Sequence, residues 1–172
     1  MFSRTLIAML FYATAALLPV WGAFSDALAA SDAEFPREWE TWPVVSEGAI
    51  PDNAAVLPAD LSPIVRETVK TYNWINAGKG SPYKVRINPA ALPAYKTRGP
   101  YSDGPTAVLE LTDIKTLLVT EHLVGQPTYG AYDSAGKDLS TAHPSLGPAV
   151  CQTCHSGYED ACVGGVCSRP RK

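Results

Sequence analysis

The five residues Cys151-Gln152-Thr153-Cys154-His155 constrain this chain more than any other stretch. Two cysteines separated by two residues, followed at once by histidine, form the attachment pattern of a c-type haem. Each thiol closes a thioether bond to one vinyl group, and both vinyls lie on one edge of the ring. A Cys-x-x-Cys bend meets both. The next histidine is then held beside the iron as its proximal axial ligand. The pattern also occurs by chance and as half of a zinc site, so the rest of the chain must decide. The expected assignment is one covalent haem c held by Cys151, Cys154 and His155.

The N-terminus agrees with that chemistry. Arg4 supplies a basic start, residues 6–24 are almost wholly apolar, and Ala27-Leu28-Ala29 has the small-x-small cleavage pattern. We expect residues 1–30 to be a secretory signal peptide and 31–172 a single, periplasmic or otherwise exported, haem domain. An uncleaved membrane anchor is the other reading, because the apolar run approaches spanning length. Pro19 and the alanine-rich end favour cleavage, which leaves no expected contact with the membrane. Haem attachment by the c-type machinery follows export, so signal and motif support each other.

An exported chain meets an oxidising compartment. The other two cysteines, Cys162 and Cys167, bracket Val163-Gly164-Gly165-Val166, and paired glycines allow a tight turn. A small disulfide is expected there. The alternative joins all four cysteines in a zinc site of spacing Cys-x2-Cys-x7-Cys-x4-Cys. His155 and the export signal count against it. A formal net charge of −3 is no nucleic-acid footprint. The basic residues cluster at Arg169-Pro170-Arg171-Lys172, either a solvated tail or a docking patch for an acidic redox partner.

Along the chain, Phe35, Trp39 and Trp42 are candidates for a core edge, and residues 43–61 read as an irregular connection rich in Pro, Ala, Asp and Asn. Ser62-Pro63 opens a helix in which Ile64, Val65, Thr68, Val69, Tyr72 and Ile75 recur at helical spacing, with Gly78 as its stop. This helix is expected to cover the sheet or one side of the haem. Strand-like runs follow at 83–87, 106–111, 116–124 and 129–132, with a short helix at 89–95 and a turn at Asp133-Ser134-Ala135-Gly136. Short strands at this spacing suggest an antiparallel sheet in an α+β fold, with the haem motif on a short C-terminal helix.

Two common cytochrome types are excluded. Small helical electron carriers place the motif near the N-terminus and use a distal methionine. Here the methionines are Met1 and Met9, both in the signal, so the mature chain has none to ligate iron. A four-helix cytochrome does not accommodate the β-rich middle.

With those residues in place, the chain resembles the cytochrome P-460 family and its relatives, the cytochromes c-prime-beta. The likeness runs from about Phe35 to His155. It rests on Arg37-Glu38-Trp39, on Asn88-Pro89 with Tyr95-Lys96 and Gly99, and on Asp103-Gly104 followed by Val108, Glu110 and Leu111. Tyr129-Gly130, the Asp133 to Gly136 turn and the terminal haem motif complete it. The resemblance implies a five-stranded antiparallel sheet with flanking helices, one high-spin haem and, often, a homodimer. In the P-460 enzymes a lysine just before the Glu-Leu pair forms a third covalent bond to the ring and accompanies hydroxylamine oxidation. Leu109 stands there and cannot make that bond, while Lys96 and Lys115 are off the register. The sequence is therefore closer to the c-prime-beta type, which binds nitric oxide or carbon monoxide at an open apolar site. The short tail after His155 also departs from the family, whose closing strand gives way to the Cys162–Cys167 loop.

Other candidates surround the iron. His122 and His143 are either ordinary histidines, on a strand and in a loop before Pro144, or a sixth ligand. Val108, Leu109, Leu111, Val119 and Tyr129 line either a pocket or the sheet core. Tyr83 and Arg86 are candidate polar groups near the iron or a propionate. The leading expectation is an open-site haem protein binding small diatomics or passing electrons. A bis-histidine electron carrier and a hydroxylamine- or nitric-oxide-oxidising enzyme are the alternatives.

Overall fold

Alternation along the strands decides which residues meet. The computed structural model describes residues 30–168, so the expected signal peptide up to Ala29 and the basic tail at 169–172 lie outside the described residues. Five antiparallel strands form one sheet in sequence order: β1 (Val44–Ile50), β2 (Ser81–Ile87), β3 (Gly104–Leu111), β4 (Thr116–Leu123) and β5 (Gln126–Asp133). Among the described residues three α-helices accompany them: α1 (Pro63–Thr71), α2 (Leu92–Thr97) and α3 (Pro148–Gly157). The expected α+β class and antiparallel sheet are thus present.

Within the span read as irregular, β1 is a correction. Its burial pattern is mostly exposed, and Gly48 interrupts it, so no period-two signal marks it. Pairing from Ser81 opposite Ile50 to Arg86 opposite Val44 supplies the order instead. Gly80 lets that edge close: at φ +74 it sits so near the Ile50 carbonyl that a Cβ would approach to 2.0 Å. The long helix expected to reach Gly78 also stops early. α1 ends at Thr71, and Ile75 lies on a separate turn in which Asn76 and Ala77 adopt positive φ. Val124, read as strand, is instead the first residue of the two-residue β4–β5 turn with Gly125, both at positive φ.

Register gives the sheet two different faces. Val85, Leu109 and Leu118 stand opposite one another across β2, β3 and β4, while Arg86, Val108 and Val119 form the neighbouring row on the other face. The second face is closed by the N-terminal segment. Ala33, Trp39 and Trp42 are buried there with Val108, Leu117, Val119 and Tyr132, and Phe35 packs against them. The expected aromatic core edge is therefore a full core layer. Arg86 belongs to this face: its Nε donates to Glu110 Oε2 at 3.0 Å, and its guanidinium lies 5.5 Å over the Trp39 ring. It also donates to the Glu40 and Trp42 carbonyls. That removes Arg86 from the list of groups near Cys151, Cys154 and His155, because it faces the opposite side of the sheet.

Candidate functional site

The Cys151–His155 motif lies on α3, the short C-terminal helix expected for it. Pro148 starts the helix, where a missing N–H costs nothing. Cys151, Cys154 and His155 stand at positions i, i+3 and i+4, which a helix gathers on one face. All three border a cavity of about 320 Å³ between α3, α1 and the sheet. Across it, α1 presents Ile64, Val65, Thr68 and Val69, and the sheet presents Val85, Leu109 and Leu118. No residue of α1 is fully buried, since its apolar face looks onto this space. Among the described residues no charged side chain lines it.

Five titratable groups on its wall are shifted toward their neutral forms by burial. Burial pushes the Cys151 thiol up to about 11, and burial also raises Cys154. The Tyr72 and Tyr129 phenols are driven well above the usual range, again mainly by desolvation. Burial lowers His155, opposed in part by the Gly165 carbonyl. Its Nδ1 lies 2.7 Å from the Gly165 oxygen. A carbonyl accepts only, so Nδ1 carries the proton and Nε2 keeps its lone pair. The Tyr129 ring packs on the His155 ring with centroids 4.8 Å apart, and the buried Tyr129 hydroxyl has no hydrogen-bond partner.

Cys162 and Cys167 are joined in a disulfide, as expected, and Cys151 and Cys154 are free thiols. His155, Cys162 and Cys167 bring three donor atoms within 4.8 Å of one another, a group able to hold a metal ion. It would need the two sulfurs as thiolates, which the disulfide precludes. The four-cysteine zinc alternative meets the same obstacle.

The remaining candidates separate. Leu109, Tyr83 and Tyr129 border the cavity. Val108 and Val119 touch its edge but pack in the tryptophan layer, and Leu111 packs with Ile50 and Ile75. His122 and His143 are not among the lining residues. His122 is 2% exposed and uses both ring nitrogens: Nδ1 meets Thr106 Oγ1 at 2.7 Å, and Nε2 donates to the Gly164 carbonyl at 2.8 Å. His143 stacks on Trp74 at 4.0 Å, and its Nδ1 accepts from the Ser145 N–H, capping a turn. Neither ring reaches the cavity that His155 borders. Lys96 and Lys115 also stay off the wall. Sequence reasoning missed Leu118 and Val85 as wall residues. Strand pairing with Leu109 was the signal that finds them, and it needed the register.

Comparison of the chain with protein-family models, with curated proteins and with solved structures gives no match.

Proposed function

We propose that this chain is an exported c-type cytochrome carrying one covalent haem, with an open sixth position that takes a small diatomic such as nitric oxide. One observation carries this reading. Cys151, Cys154 and His155 converge on an uncharged cavity whose described lining contains neither a second histidine nor a methionine. The donor set suits the group. Two uncharged thiols three residues apart on one helical face suit thioether closure, and His155 Nε2 is the free imidazole nitrogen. When bound, haem supplies an iron centre for one-electron chemistry and for axial binding of a gas.

The chain's own residues would then do the following. Cys151 and Cys154 anchor one edge. The Gly165 carbonyl orients His155 through Nδ1–H and makes Nε2 a stronger donor. Val65, Val69, Leu109 and Leu118 exclude water and charged ligands from the space beyond. The resemblance to the cytochromes c-prime-beta points the same way. Leu109 in place of a cross-linking lysine argues against hydroxylamine oxidation, and the positions of His122 and His143 argue against a bis-histidine carrier. A gas ligand, with or without a redox partner protein, is the expected partner.

Absorption spectra of the protein matured with the haem-attachment machinery test this reading. A high-spin ferrous spectrum that shifts with carbon monoxide is expected. A low-spin spectrum indifferent to the gas would return the case to electron transfer, and no haem spectrum at all would end it.

A further inference from the structure

Gly164 and Gly165 offer consecutive carbonyls to two different histidines. His122 Nε2 donates to the first at 2.8 Å, and His155 Nδ1 donates to the second at 2.7 Å. Both glycines are in the left-handed region, at φ +57 and +74. A Cβ on Gly165 would come within 2.5 Å of both the Pro127 ring and the Tyr129 hydroxyl, so the loop presses directly on β5. Its ends are tied by the Cys162–Cys167 bond, which brings Cys167 Sγ to 3.6 Å from His155 Nδ1.

His122 is itself anchored. It sits on β4, stacks on Tyr101 with centroids 4.9 Å apart, and meets Thr106 of the neighbouring strand β3. A continuous path therefore runs from the sheet through His122, Gly164 and Gly165 to the ring of His155. A buried polar side chain with both nitrogens engaged imposes one geometry in a way that an apolar side chain of similar size does not.

We propose that His122 is a positioning residue for His155: together with the disulfide it fixes the Gly164-Gly165 loop, whose carbonyl sets the orientation and donor strength of the proximal ligand. This rests on the haem reading above. The hydrogen bond at Nδ1 enriches Nε2 in electron density and favours ferric over ferrous iron. With His122 removed, the loop keeps its covalent closure but loses its tie to the sheet, and the carbonyl drifts from Nδ1.

The test uses the matured holoprotein as wild type, His122→Ala and His122→Gln, with haem content measured first. In His122→Ala the iron–His155 stretching frequency, read by resonance Raman of the ferrous form, is expected to fall. The ferric–ferrous equilibrium is expected to move roughly tenfold toward ferrous, about 59 mV for one electron. His122→Gln keeps an N–H donor for Gly164 and is expected to restore most of both. Treating wild type with a dithiol, which is oxidised as Cys162 and Cys167 become thiols, is expected to move both readouts the same way. Wild-type frequency and potential in His122→Ala overturn the proposal, whatever happens to thermal stability. If that variant does not fold, the dithiol experiment decides. Absence of haem in wild type overturns the haem reading instead. The clamp is then read from 15N shifts of His155 in the unloaded chain. A single Nδ1–H tautomer that becomes mixed in His122→Ala supports it, and an unchanged tautomer overturns it.

Discussion

The two faces of the sheet are built from adjacent residues of the same strands and finish differently. Leu117 and Leu118 are neighbours on β4. Leu117 is fully buried under the N-terminal tryptophans, whereas Leu118 is half-buried on the wall of the cavity. One face is closed by the chain itself, with an ion pair between Arg86 and Glu110 and a guanidinium over Trp39. The other is spanned by α1 and α3 without being filled, and among the described residues no charged side chain lines it. The lesson is a division of labour. Close packing on one face stabilises the sheet, which leaves the other free to keep a space that packing alone would have removed.

The most direct way to break this comparison is a pair of truncations. Leu117→Ala should cost roughly 3 kcal/mol of unfolding free energy, the usual toll of emptying a packed core site. Leu118→Ala should cost the haem-free chain only about 1 kcal/mol, because its methyls border space that is already open. Urea unfolding of both variants measures the difference, and equal losses would mean that the two faces are equally packed.

Cysteine reactivity sharpens the contrast next. With its thiol pushed up to about 11 by burial, Cys151 in the haem-free chain should show roughly a hundredfold less thiolate at pH 8 than an ordinary cysteine. Iodoacetamide labelling followed by mass spectrometry should find Cys151 slow, and its rate should climb steadily as the pH is raised toward 11. Labelling at the pace of an exposed thiol would show that the wall is wet.

A further test belongs to the closed face. Glu110→Gln keeps an acceptor for Arg86 but removes its countercharge in a mostly buried setting, and should cost about 1.5 kcal/mol. Because Arg86 and Glu110 face away from α3, the absorption spectrum of the proposed haem form should not move. A spectral change in this variant would show that the faces communicate through the sheet.

Much of this was legible beforehand because it depends on local spacing. A period of two marked β2, β-rich runs marked β3 to β5, helical spacing marked α1, and a glycine pair between Cys162 and Cys167 marked the disulfide. β1 was not legible: an exposed edge strand carries no alternation, and its order comes from the β2 backbone it pairs with. The roles of Arg86, His122 and His143 were hidden for a related reason. Their chemistry suits a haem pocket equally well wherever they stand, and only register and packing decide which way they face.

The sequence by itself therefore determined the Cys-x-x-Cys-His spacing, the tie between Cys162 and Cys167, the antiparallel α+β class and the absence of any methionine after Met9. Each follows from residue type and short spacing. Only the tertiary structure decided that Leu109, Leu118 and Val85 share one wall, that Arg86 lies behind it, and that His122 reaches a loop carbonyl rather than the cavity. Those facts depend on pairing between residues distant in sequence, where a shift of one position turns every side chain to the other face.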